Sequence, residues 1–250
     1  MSGLPLDAAG RVVLPPLVGP LSRLWELILD LAERLPSDGW VLIGGQMVML
    51  HGLMAHRPAT RASRDVDVLA DLLADDAGLT RCVRAVRELG LQPRQDSAGK
   101  VYRFVREADE TRADVLAPDR FPPRRRLRTV GGDTIRVPGG TQALQRAIQL
   151  QVVKDERAAT VPVPDLLGAL VLKAAAWAGD SRDRERHSGD AAFLASLITD
   201  PIGERARFKG SDRKRLLRLG RVLADPDAAE WRRLGEYADD GYATWRLLLM

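Results

Sequence analysis

Apolar positions along the chain follow two periods, and their order predicts the elements. Between 21 and 35, Leu24, Ile28, Leu31 and Leu35 recur at the spacing of one helix face, with Asp38-Gly39 ending the element. Trp40-Val-Leu-Ile43 reads as an apolar strand that stops at Gly44-Gly45 and turns at once into a helix over 46–53. A basic loop over 56–62 leads to a strand over 64–70, and a helical period through Leu79, Val83, Val86 and Leu89 covers 76–89, closed by Gly90. Residues 101–105 and 112–117 read as two strands joined by a turn at 107–111. A short hairpin around Gly131-Gly132 spans 129–137, and a helix is predicted over 141–151.

After Val161-Pro-Val-Pro164 the texture changes. Asp165 is placed to cap a helix running through Leu167, Leu170 and Leu172 to Trp177, and 190–197, 212–223 and 228–248 read as further helices. The first twenty residues are rich in Gly and Pro, with Val12-Val-Leu-Pro-Pro-Leu17 as an extended arm. This order predicts an α+β fold in which a mixed sheet with flanking helices, over 1–160, is followed by a helical C-terminal domain over 161–250.

Composition narrows the class. Hydrophobic residues at 45% and charged residues at 29% fit a globular chain. The absence of any long apolar run or signal-like start predicts a cytoplasmic protein without a membrane partner. The single cysteine, Cys82, excludes an intramolecular disulfide and reads as a helix-face residue. His51, His56 and His187 lack metal-ligand spacing, and His51 reads as a packed, hydrogen-bonded residue. A net charge of +4 assigns no partner alone, but arginines cluster at Arg57 and Arg61, at 124–126 with Arg128, and at Arg182, Arg184 and Arg186.

The candidate chemistry lies in two neighbouring stretches. Asp65 and Asp67 are separated by one apolar residue at the start of a strand, so their carboxylates share a face, with Cα atoms roughly 6.5 Å apart. Carboxylates at that spacing can converge on a hard divalent cation. Gly44-Gly45 at a strand-to-helix turn adds backbone N–H groups and a positive helix end, which suit phosphates. Asp114 places a third acid on the strand that returns from the later hairpin.

Gly44-Gly45, an intervening helix, Arg61-x-Ser63-x-Asp65-Val-Asp67 and the separate acid Asp114 together resemble the minimal nucleotidyltransferase superfamily related to DNA polymerase beta. Within it they are most similar to the AbiEii/MenT-like toxin nucleotidyltransferases. The resemblance implies that Asp65, Asp67 and Asp114 bind Mg²⁺ or Mn²⁺ and that an NTP is the donor. It extends to Lys173, followed by Arg182-x-Arg184-x-Arg186-His187-Ser-Gly-Asp190, where Lys173 and Asp190 match family positions. His187 stands where a first Asp is usual, and Gln46 where a small residue commonly follows the glycines. Lys173 is the cation that would meet the triphosphate, Asp190 would fix it or contact base or ribose, and Gly44, Gly45, Arg61 and Ser63 would line the nucleotide. The expected acceptor is RNA, such as a tRNA end, and a cognate antitoxin is an implied partner. Transfer to a small molecule or protein, or a catalytically inactive nucleic-acid-binding or regulatory module, are the alternatives.

Overall fold

The computed structural model describes residues 6–57, 63–73, 77–120, 127–181 and 183–250. Arg61, Arg124, Arg125, Arg126, the Arg128 side chain and Arg182, all singled out above, lie outside the described residues, as does Asp76 at the start of the third predicted helix. The N-terminal region is mixed α/β and the C-terminal region is helical.

The arm carries β1 (Val12–Val13), and α1 (Gly19–Arg34) follows with Pro20 in its first turn, where a missing N–H costs nothing. Then come β2 (Trp40–Ile43), α2 (Gly44–Met54), β3 (Val66–Ala70), α3 (Gly78–Glu88), β4 (Gln92–Arg94), β5 (Arg103–Arg106) and β6 (Thr111–Pro118). These strands form a sheet in the order β2-β3-β6-β5-β4. A hairpin of β7 (Arg128–Thr129) and β8 (Gly132–Asp133) precedes β9 (Arg136–Val137), which runs parallel to the end of β6. The β3–β6 pair is parallel and its neighbours β2 and β5 run antiparallel to it, so the sheet is mixed. Trp40, Val66, Val68, Ala113 and Val115 are fully buried, which sets the face that Asp67 and Asp114 do not share.

One predicted helix is largely a strand. Helical structure covers only α4 (Gly140–Leu144), after which β10 (Ala147–Lys154) pairs antiparallel along its whole length with β11 (Arg157–Pro164). Ile148, Leu150 and Val152 alternate with exposed residues, a period of two that the strand pairing satisfies. The arm is seated as β1 on β10, giving a second sheet in the order β1-β10-β11. Pro162 and Pro164 therefore belong to a strand; β11 is an edge strand, where a residue without an N–H is tolerated.

The helical region comprises α5 (Leu166–Gly179), α6 (Arg184–Ser196), α7 (Pro201–Ala206), α8 (Asp212–Leu223), α9 (Ala229–Arg232) and α10 (Ala238–Leu249). Asp165 caps α5, accepting from the Gly168 amide at 2.8 Å. The single helix predicted over 228–248 is broken: a 3-10 turn, Gly235–Tyr237, separates α9 from α10, and Gly235 has φ +59, a conformation a glycine adopts without strain. Trp231 and Trp245 are buried between these helices. Arg57 ties the end of α2 to the same body, donating to the Ser196 carbonyl at 2.9 Å with its guanidinium 3.8 Å from the Tyr237 ring centre. His51 is buried on α2 and its Nε2 donates to the Pro164 carbonyl at 2.9 Å; burial pushes its pKa down to about 4, so the ring is neutral at pH 7.

Candidate metal and nucleotide site

Register brings the acids together. Asp67 on β3 lies directly beside Asp114 on β6, with Ile43 on one flank and Arg103 of β5 on the other. Asp65 sits just before β3, and one carboxylate oxygen from each of Asp65, Asp67 and Asp114 lies within 4.8 Å of the others. Asp114 is buried, whereas Asp65 and Asp67 are partly open. An all-oxygen, three-carboxylate donor set is the chemistry that hard divalent cations such as Mg²⁺ and Mn²⁺ select. The repulsion inside the cluster points the same way. Burial and the charges of Asp65 and Asp114 push the Asp67 carboxyl up to about 7, against the pull of Lys173 and Arg186. Asp114 is also raised, by burial first, with Arg103 opposing.

The two glycines lie against these acids. Gly44 has φ +78, and a side chain there would run into the Asp67 carboxylate. A Cβ on Gly45 would fall 2.5 Å from the Ser63 Cβ. Ser63 in turn donates from Oγ to Asp65 Oδ1 at 3.1 Å, so the turn, Ser63 and the acids form one packed unit. Gly44→Ala should therefore lose Mn²⁺ binding and cost about 1–3 kcal/mol of stability through the strained φ alone. Titration calorimetry with Mn²⁺ and thermal melting check this, and wild-type Mn²⁺ affinity in Gly44→Ala would refute the close approach as a requirement.

Lys173 and Asp190 form an ion pair of 2.7 Å between α5 and α6, with side chains only 4% and 2% exposed. A helix predicted over 190–197 would put Asp190 at its start. Instead α6 begins at Arg184, which puts Asp190 in mid-helix, and Lys173 is buried. The charges of Lys173 and Arg186 pull the Asp67 carboxyl toward its charged form. His187 is buried in the same place, its Nε2 3.5 Å from Asp180 Oδ2. Burial, then the charges of Lys173 and Arg186, lower its pKa and keep it neutral. Gln46 is buried too, and neither of its amide atoms has a hydrogen-bond partner among the described residues.

Arg103 is the site residue that sequence reasoning missed. Its Nε and one terminal nitrogen donate to the two oxygens of Asp114 at 2.8 and 2.7 Å, and the same terminal nitrogen lies 3.6 Å from Asp65 Oδ2. The pairing holds the guanidinium firmly charged. The available signal was the hairpin, which sets Arg103 opposite Asp114 once its register is known.

The family model described as nucleotidyl transferase AbiEii toxin, type IV TA system, matches residues 27–244. The chain belongs to this AbiEii nucleotidyltransferase family. Neither a curated protein nor a solved structure matches it. Among the described residues no helix is long and apolar enough to cross a membrane.

Proposed function

We propose that the chain is a Mg²⁺- or Mn²⁺-dependent nucleotidyltransferase that moves a nucleotidyl group from an NTP to a hydroxyl of an RNA acceptor, with Asp65, Asp67 and Asp114 as metal ligands. The observation that carries this reading is the convergence of the three carboxylates against the Gly44-Gly45 turn. When bound, divalent cations would neutralise the phosphate oxygens and lower the pKa of the attacking hydroxyl. The protein's own part is positioning. The first amides of α2 have no partners within the helix and offer N–H groups to phosphate oxygens, and the missing side chains at Gly44 and Gly45 admit the triphosphate close to the acids. Lys173, oriented by Asp190, supplies fixed positive charge toward the triphosphate, and Arg186 adds to it. Asp114, steadied by Arg103, takes the corner beside the attacking hydroxyl. That oxygen bonds to the α-phosphorus as the bond to pyrophosphate breaks, and its proton leaves to a carboxylate or to water. The helical half beyond 161 closes the nucleotide cleft, and a cognate antitoxin is the proposed protein partner.

A second reading, a nucleic-acid-binding module without catalysis, draws on Arg103, which engages both oxygens of the third acid. One experiment separates the two. The chain is incubated with each α-labelled NTP, Mg²⁺ or Mn²⁺, and total RNA, protein or a polycationic small molecule. Label should appear on RNA. Label on another acceptor would overturn the RNA assignment, and label on none, with the metal present, would leave the inert module.

A further inference from the structure

The basic stretch over 205–215 and the helix that follows sort into two groups. Arg207 pairs with Asp165 and Glu204, and Arg215 reaches Asp119 at 2.9 Å, so these hold the fold together. Arg213, Lys214, Arg218 and Arg221 are all exposed on α8 and form no ion pair among the described residues. The helix buries Asp212, Leu216, Leu219 and Leu223, and the opposite face carries the four cations around Leu217, itself 43% exposed. Like charges three and four residues apart on a helix repel, each pair costing a few tenths of a kcal/mol. A fold has no use for that cost.

Two surface depressions show where the stripe leads. A groove of about 620 Å³ is lined by Gly210, Arg213, Lys214, Leu217, Arg218 and Arg221. A second, of about 320 Å³, shares Arg218 and Arg221 and continues to Trp177, Ala178 and Arg184. Trp177 is half-buried, with the Arg184 guanidinium 5.6 Å from its ring centre. It lies one helical turn, roughly 6 Å, beyond Lys173 on the same face of α5. The two depressions meet at Arg218 and Arg221, so the groove runs along α8 to Trp177 and Arg184 at the α5–α6 corner.

We propose that this groove is the docking surface for the phosphodiester backbone of the RNA acceptor, with Arg213, Lys214, Arg218, Arg221 and Arg184 meeting phosphates and Trp177 offering a stacking face. Charge complementarity selects this occupant: a line of unpaired cations with an aromatic at its end is the arrangement that holds a nucleic-acid strand without reading its sequence. The proposal rests on the transferase reading for the word acceptor, but binding is measured without turnover.

The test compares two charge reversals of equal size, R213E/R218E on α8 and R84E/R87E on the exposed face of α3. Anisotropy of a labelled single-stranded RNA is followed from 50 to 200 mM salt, with circular dichroism and calorimetric Mg·NTP binding as controls. The α8 variant should bind RNA at least tenfold more weakly and with a shallower salt dependence, while the α3 variant stays close to wild type and both bind Mg·NTP normally. Equal weakening by the two variants, or unchanged RNA binding by R213E/R218E, would overturn the placement. So would displacement of RNA by an acidic polypeptide at lower concentration, which would assign the groove to a protein. Should RNA bind through α8 while no acceptor ever receives label, the surface stands and the transferase reading falls.

Discussion

Asp67→Asn is expected to fold, to lose nucleotidyl transfer by roughly a thousandfold or more, and to melt a few °C above the wild type when metal is absent. The two effects have one cause. Asp67 is crowded by Asp65 and Asp114 and by burial, so its carboxyl is charged in the folded chain only above a pH of about 7. An unfolded chain releases that proton near pH 4. Between those values the folded state binds more protons than the unfolded one, so stability attributable to this group is present at pH 4 and is lost as pH rises to about 7. The melting-temperature gap between Asp67→Asn and wild type should thus be small at pH 4, widen up to about pH 7 and then level off. Mn²⁺ should close it by stabilising only the wild type, more strongly as pH rises, because the ion must displace the proton. A folded Asp67→Asn protein with full transfer activity would end the metal mechanism, and a pH-independent gap would end its electrostatic explanation.

Lys173→Ala should destabilise the protein by about 3–5 kcal/mol, since it strips the buried Asp190 carboxylate of its lysine. From the sequence alone, Lys173→Ala is expected to weaken Mg·NTP binding with little change in melting, because the lysine's charge would act across the cleft as the helical domain closes over the sheet. Loss of fold alone would say nothing about the nucleotide. The informative variant is Lys173→Met with Asp190→Leu, which removes both charges and keeps the volume. It should melt within a few °C of wild type yet bind Mg·NTP at least tenfold more weakly, as titration calorimetry would show. Wild-type affinity in that double variant would confine Lys173 to a structural role.

Local patterns made the strand β2, the glycine turn and the alternation around Asp67 legible, because each is written within a few neighbouring residues. The course of 141–164 was not. Leu144, Ile148 and Gln151 fit a helical spacing as well as Ile148, Leu150 and Val152 fit a strand, and only the partner β11 and the arm decide between them. Arg103 was hidden for a related reason. A turn shifted by one residue would turn its side chain to the other face of the sheet, so its meeting with Asp114 depends on a register that the strand's own residues do not specify. The burial of Lys173 and Asp190 likewise follows from how α5 and α6 pack, which no local period records.

The spread of the cluster along the chain has a consequence for synthesis. Its parts come from Gly44, Asp67, Arg103, Asp114, Lys173 and Asp190, and α6, which carries the last of these, packs against α10. Domains form largely as their residues emerge from the ribosome, and contacts between distant segments come last. A nascent chain therefore cannot complete this cluster when only the sheet strands have emerged; α6 and the α10 that braces it must follow.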